Sequence, residues 1–348
     1  MSPYTTTIML SSLSLGTTLT FMTSHWLLAW MGLEINTLAI LPLMTQHHHP
    51  RAVEAATKYF LVQATAAATI LFASTINAWT TGEWNIHCLS NPIATTLITM
   101  ALALKVGLAP MHFWMPPIMQ GLDLTTGLIM ATWQKLAPFA LIIQMAPFTH
   151  PQLPMALGLL SVIIGGWGGL NQTQLRKIMA YSSIAHLGWM IMMTQLKPQL
   201  TILALSTYII MTSATFLTLK MTSSMKINTL AMAWTKMPII TATTALTLLS
   251  LGGLPPLTGF MPKWLILQEL NMQKLPLTAT LMTLGALLSL YFYLRLCYSM
   301  TLTIAPNTNN SLTPWRLQNT QNTTPLAIST TSALLMLPLT PLAQALMN

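Results

Sequence analysis

The chain reads as a succession of long apolar stretches divided by short polar ones, and the apolar stretches have the length a lipid bilayer demands. A hydrocarbon core of about 30 Å needs roughly 20 apolar residues per helix. On that measure about eleven transmembrane helices fit, near 3 to 22, 25 to 45, 55 to 79, 92 to 115, 124 to 146, 153 to 171, 177 to 195, 199 to 219, 237 to 267, 276 to 297 and 325 to 346. Inside lipid every backbone group must be paired within the segment, so such a pattern predicts an all-α polytopic membrane protein. The longest polar stretch, about 298 to 324, is a connector rich in Asn and Thr whose Trp315 and Arg316 suit the headgroup region.

An internal repeat organises the pattern further. Gly107-Leu108-Ala109-Pro110, followed by Phe113 and Pro116, returns as Gly253-Leu254-Pro255-Pro256, followed by Phe260 and Pro262, five spans later. A shift by an odd number of helices reverses orientation. Helices 1 to 5 and 6 to 10 are therefore expected to form two inverted five-helix repeats, over 1–150 and 151–298, with a polar connector and a last transmembrane helix over 299–348. Each copy puts Gly and Pro inside an apolar segment, so helices 4 and 9 are expected to be broken. Paired interrupted helices in inverted repeats point to an ion or substrate site at mid-membrane, although Pro and Gly also kink ordinary packed helices.

Composition agrees with the pattern. Of 348 residues, 53% are hydrophobic and 5% charged, and the mean hydropathy is +0.61. There is no room for a soluble catalytic domain. The net charge of +9 would suit nucleic acid, but the basic residues sort by loop. Connections after even-numbered helices, with the helix ends that flank them, hold Arg51, Arg176, Lys177, Lys220, Lys226, Lys236, Arg295 and Arg316, and those after odd-numbered helices hold Lys197 and Lys274. That asymmetry places the N-terminus inside and the C-terminus outside, and it speaks for topology rather than nucleic-acid binding. No cleavable signal is evident, because the first span lacks a basic leader and runs directly into the second.

Against this apolar background Glu34, Lys105, Lys135 and Lys263 stand out as ionisable residues inside predicted spans. A charge at the bilayer centre costs roughly 2.5 to 3.5 kcal/mol on insertion scales, and such residues usually line an internal proton or ion path. Lys105 lies just before the first break and Lys263 just after the second. Each also has a plainer reading, Glu34 as a helix-packing carboxylate, Lys105 and Lys135 paired to carbonyls or lipid, and Lys263 reaching back to a membrane surface. His112 and His186 also fall in spans and are candidate proton relays, or simply hydrogen-bonded imidazoles.

Several segments resemble one family specifically. SHWLLAWMGLEINTLAILP (24 to 42), LKVGLAPMHFWMP (104 to 116), TWQKLAPFALI (132 to 142), GGWGGLNQTQLRKIMAYSSIAHLGWM (165 to 190), LLSLGGLPPLTGFMPKW (248 to 264) and LYFYLRL (290 to 296) resemble the subunit 2 family of NADH:ubiquinone oxidoreductase, respiratory complex I. The match covers nearly the whole length and is nearest the vertebrate mitochondrial form, which has eleven helices where bacterial relatives have fourteen. The resemblance implies an antiporter-like proton-translocating subunit of the mitochondrial inner membrane. Its N-terminus would lie in the matrix and its C-terminus in the intermembrane space.

By resemblance, Glu34 and Lys105 form an ion pair, Lys135 is the connecting lysine and Lys263 the distal proton-transfer residue. NADH, FMN, iron–sulfur clusters and ubiquinone would belong to partner subunits. Partners would be neighbouring antiporter-like and other membrane subunits, with lipids such as cardiolipin. One departure is Met115-Pro116-Pro117, where many relatives carry an acidic residue after the proline; Asp123 is the nearest carboxylate downstream. The mechanism then expected is electrostatic. Opposite charges 4 Å apart at an effective dielectric near 20 attract by about 4 kcal/mol, so opening or closing a Glu34–Lys105 pair is enough to change the charge on a neighbouring lysine.

Other motifs add less. The tract His47, His48, His49 precedes Pro50 at a span end and reads as a solvated loop rather than a metal site. Glu54 and Lys58 have the spacing of a helix-face ion pair. Gly165-Gly166-Trp167-Gly168-Gly169 lies in an apolar span and suits close helix packing rather than dinucleotide binding. Cys88 and Cys297 are too few for a cluster framework. No paired haem-ligating histidines are present, so this chain is expected to carry no redox cofactor and no metal. Buried charge and inverted repeats alone also fit a free-standing cation/proton antiporter, and a structural membrane subunit that moves no ions remains a third class.

Overall fold

The computed structural model describes residues 2–46, 48–302 and 323–347. His47, Trp315 and Arg316 lie outside them. The described residues form helices and contain no strand, only isolated bridges. In chain order the helices are α1 (Pro3–Met22), α2 (Trp26–Met44), α3 (Pro50–Thr81), α4 (Pro92–Val106), α5 (Met115–Gly121), α6 (Leu124–Ala131), α7 (Trp133–Met145), α8 (Gln152–Gly169), α9 (Leu175–Met193), α10 (Pro198–Met221), α11 (Ile227–Ala231), α12 (Ala233–Lys236), α13 (Pro238–Gly252), α14 (Phe260–Met272), α15 (Pro276–Thr301), α16 (Thr324–Leu335) and α17 (Thr340–Met347). Among the described residues, six helical segments are long and apolar enough to cross a membrane.

Local chemistry explains where helices begin. Proline stands in the first turn of α1, α3, α4, α13 and α15, where its missing N–H costs nothing and its fixed φ suits a helix. Side chains of Ser2, His25, His49 and Asn91 accept from the first free amides of α1 to α4. His49 is thus a helix cap, and among the described residues no group of three or more His, Cys, Asp or Glu side chains could hold a metal.

The chain divides into two compact units. The first comprises Met1–Ser161 with Thr194–Pro198. Its core joins α2, α3, α4 and α7 through Trp26, Leu33, Ile70, Ile98, Leu102 and Leu141. Here α1 and α2 cross at glycine, since a Cβ on Gly32 would stand 2.9 Å from the Gly16 carbonyl oxygen. Close backbone approach of this kind substitutes for the hydrophobic drive that lipid does not supply.

The second unit comprises Val162–Met193 with Gln199–Asn348. Gly165 lies against the Ala185 backbone of α9, and Gly166 against Leu288 of α15, where a Cβ would come within 2.7 and 2.8 Å. The glycine run of α8 therefore works in helix packing. Along α13, Thr241, Thr244, Thr247 and Ser250 make a buried stripe, each hydroxyl donating to the carbonyl three residues back.

Both expected breaks are present. α4 stops at Gly107 (φ 87°) and α13 at Gly253 (φ 79°), a left-handed conformation that glycine adopts without penalty. Ala109-Pro110 and Pro255-Pro256 follow with cis peptide bonds. The fifth span is present as expected, as Leu124–Phe148, but it is kinked where α6 meets α7 at Thr132 (φ −114°, ψ −67°), three residues before Lys135; its apolar run gave no punctuation there. Two expectations need correction. The last span is likewise divided, by a short 3-10 turn at Leu337–Leu339 around Pro338, which cannot donate to the preceding turn. The third helix starts at Pro50, five residues before the expected 55, because His49 and Pro50 cap it.

Candidate functional site

In the first unit, Lys105 and Lys135 face one cavity. Lys105 comes from the last turn of α4 and Lys135 from the first turn of α7, just after the Thr132 break. They are 6% and 3% exposed. The cavity, of about 20 Å³, holds roughly one water molecule. Its polar lining comes from Asn36 of α2, Tyr59 and Gln63 of α3, Trp114 of the break, and Gln134 of α7.

The end of α4 is held by neutral donors. A broken helix leaves its last carbonyls unpaired, at a cost of several kcal/mol each in hydrocarbon. Trp114 Nε1 donates to the Leu104 oxygen at 3.1 Å, and Gln63 Nε2 donates to the Lys105 oxygen at 3.4 Å. The backbone carrying Lys105 is thereby fixed while its ammonium is left available. Lys105 Nζ and Glu34 Oε2 are both buried without a hydrogen-bond partner among the described residues. The expected Glu34–Lys105 pair is consequently open in this structure.

His112 and Asp123 stand apart from this cavity. His112 is buried within the break, its ring 4.4 Å from that of Phe113, and it does not line the Lys105–Lys135 cavity. Asp123 stands exposed at the N-cap of α6 and does not line that cavity either. Pro117 borders a separate surface pocket with Arg51, Glu54 and Lys58, where Glu54 and Lys58 form the expected ion pair.

In the second unit, Lys263 and His186 line another cavity of about 20 Å³ with Thr207, Met211, Gly259 and Ile266. The Lys263 side chain folds back along its own unit toward α13. Its Nζ turns back to donate to the Gly252 oxygen at 2.8 Å, capping the C-terminus of α13. Partial negative charge at that helix end attracts the ammonium. His186 Nδ1 lies 2.7 Å from the Ser182 oxygen and Nε2 lies 3.2 Å from the Leu251 oxygen. The break glycine lies directly under this lysine: a Cβ on Gly253 would meet Lys263 Nζ at 2.9 Å and displace the side chain.

Sequence reasoning missed Tyr59, Gln63, Trp114 and Glu269. Tyr59 and Gln63 are ordinary residues of α3, and Trp114 of the break, until the fold brings the two segments to one cavity. Glu269 is buried on α14, where Gln273 donates to it at 3.1 Å; it fell just past the expected end of the span.

A family model described as "NADH:quinone oxidoreductase/Mrp antiporter, TM" matches residues 23–289, and one described as "NADH dehydrogenase subunit 2 C-terminus" matches 290–344. The NADH-ubiquinone oxidoreductase chain 2 of Carassius auratus is 72% identical over 98% of each chain, and that of Salmo salar 69% identical over the full length of both. The chain belongs to the NADH-ubiquinone oxidoreductase chain 2 family. It is an antiporter-like, multi-pass membrane chain of that oxidoreductase. Among solved structures, a chain of respiratory complex I from Thermus thermophilus with bound aureothin is 28% identical, with a TM-score of 0.86 over 99% of this chain and 80% of its own length. A chain of the Mrp complex from Dietzia sp. DQ12-45-1b, 16% identical with a TM-score of 0.79 over 96% and 74%, shares the fold.

Proposed function

We propose that this chain translocates protons as a core membrane subunit of mitochondrial NADH:ubiquinone oxidoreductase, driven by NADH oxidation and quinone reduction in partner subunits. NADH, FMN, the iron–sulfur clusters and ubiquinone belong to those partners in this reading. Neighbouring antiporter-like subunits and lipids such as cardiolipin surround the chain in the inner membrane. The observation that carries the proposal is the shared cavity of Lys105 and Lys135. Two buried lysines facing one small polar space repel when both are charged, so that a proton on one disfavours a proton on the other.

Glu34 is the switch on this pair. Closed on Lys105, its carboxylate holds the ammonium; open, as found here, it leaves Lys105 to act on Lys135. Lys263 and His186 are the corresponding proton-bearing groups of the second unit.

The topology proposed has about eleven spans in two inverted repeats, 1–150 and 151–298, with 299–348 appended, an N-terminus in the matrix and a C-terminus in the intermembrane space. Loop contacts support the alternation. His25 bridges to Asn85 and Gln195 donates to Thr149 on connections after odd-numbered spans, while Gln174 bridges to Lys226 on connections after even-numbered ones. The recurrence of a helix end at a left-handed glycine supports the repeat.

The test is proton pumping by the assembled enzyme in sealed membranes carrying Glu34→Gln. The variant should assemble and oxidise NADH with uncoupler present, yet pump fewer protons per electron pair. Unchanged pumping contradicts the switch. Comigration of this chain with NADH dehydrogenase activity on a native gel separates the proposal from a free-standing cation/proton antiporter.

A further inference from the structure

In the open pair the proton has no direct path from carboxyl to amine, since neither Glu34 Oε2 nor Lys105 Nζ has a hydrogen-bond partner among the described residues. Tyr59 is placed to supply one. It stands on α3, which packs against both α2, carrying Glu34, and α4, carrying Lys105. Its side chain is 2% exposed and lines the Lys105 cavity. Gln63, one helical turn on and on the same face, holds the Lys105 carbonyl. The Tyr59 ring meets that of Trp114, centroids 6.0 Å apart at 57°, and Trp114 is itself bonded to the end of α4. The ring is thus packed against a residue bonded to the element that presents Lys105, on a helix that also packs against the one carrying Glu34. The hydroxyl is the only group on this ring able both to accept and to donate a proton.

We infer that Tyr59 is a proton-carrying residue that links the Glu34 carboxyl to the Lys105 amine while the two are apart. The step balances without any co-reactant. Protonated Glu34 gives its proton to the phenol oxygen as the phenol's own proton passes to the neutral amine of Lys105. One O–H bond is lost at Glu34, one breaks and one forms at Tyr59, and one N–H bond forms at Lys105. The products are a carboxylate, an intact phenol and an ammonium. Rotation of the hydroxyl restores the starting arrangement. The step deepens the proton-translocation reading proposed above and rests on it.

The experiment places Tyr59→Phe, Tyr59→Leu and Glu34→Gln separately, and Tyr59→Phe with Glu34→Gln together, in the assembled enzyme, and reads assembly, uncoupled NADH oxidation and protons pumped per electron pair. Tyr59→Phe keeps the ring and its Trp114 contact. The expected result is normal assembly and uncoupled turnover with pumping lowered severalfold, and a double variant no worse than Glu34→Gln. Wild-type pumping by Tyr59→Phe beside a defective Tyr59→Leu would show a packing role and overturn the inference. If Glu34→Gln pumps normally, the parent reading fails; if it is impaired while Tyr59→Phe is not, only the present step fails.

Discussion

His186 and Lys263 share an acceptor. The Leu251 carbonyl oxygen lies 3.2 Å from His186 Nε2 and 3.5 Å from Lys263 Nζ, which also donates to Gly252 at 2.8 Å. The two broken helices are therefore finished by different chemistry. α4 ends on an indole and an amide, which keep their protons, whereas α13 ends on an ammonium and an imidazole, which exchange theirs. Loss of a proton at Lys263 weakens the cap of α13; loss of a proton at Lys105 leaves the cap of α4 intact.

Lys263→Met removes both the proton and the cap. An orphaned buried carbonyl costs roughly 1–3 kcal/mol, so the variant should assemble less stably as well as pump poorly. Lys263→Arg keeps a cation at the helix end but one that does not give up its proton. It should recover stability and not pumping, read as the thermal midpoint of the assembled enzyme against protons per electron pair.

Gly82 and Gly253 have nearly the same backbone conformation, φ 78° and 79°, but a Cβ at Gly82 meets nothing within 4 Å while one at Gly253 meets Lys263. Alanine at either position bears the left-handed penalty of about 1–2 kcal/mol. Only Gly253→Ala should also lower pumping per electron pair in the assembled enzyme, because only it displaces the lysine.

Trp114→Phe keeps the ring near Tyr59 and removes the donor to Leu104. The expected loss is again about 1–3 kcal/mol, seen as a lower thermal midpoint of the assembled enzyme together with weaker pumping, since the α4 end that presents Lys105 is freed. A variant indistinguishable from wild type in both would show that this bond does not position the lysine.

Cys88 reports topology. It lies in the connection between α3 and α4, partly exposed, whereas Cys297 is buried. Its thiol is pushed above its usual value, chiefly by a hydrogen bond with Glu83, so less thiolate is present at neutral pH. A membrane-impermeant maleimide should label Cys88 from the intermembrane-space side only, faster as pH rises, and Glu83→Ala should accelerate labelling at neutral pH. Labelling from the matrix side would invert the topology.

Much of this was legible in the sequence for a physical reason. Hydrophobic runs of bilayer length define α1, α2, α8, α9 and α10 to within two residues, helped by Pro3 and Pro198 at the starts of α1 and α10 and by Gly169 at the end of α8. The intramembrane charges stood out because lipid makes them costly, and Gly107 and Gly253 marked the breaks because only glycine takes that φ without strain. The Thr132 break was illegible, since nothing in Ala131-Thr132-Trp133 differs from an ordinary apolar helix. So was the open Glu34–Lys105 pair, because the state of a contact depends on side-chain placement and not on residue type. Tyr59, Gln63 and Trp114 are polar-edged but unremarkable in their own segments, and they acquire a role only when α3, α4 and the break converge on one cavity.

The most direct measurement is the number of protons pumped per NADH oxidised by the assembled enzyme carrying Lys105→Met. Methionine keeps an unbranched apolar stem close to the length of the lysine one without the ammonium, and Lys105 Nζ gives up no hydrogen bond on removal, so assembly and uncoupled NADH oxidation should survive while the ratio falls. A ratio equal to that of the unmodified enzyme, at full assembly, would contradict a proton route through the Lys105–Lys135 cavity.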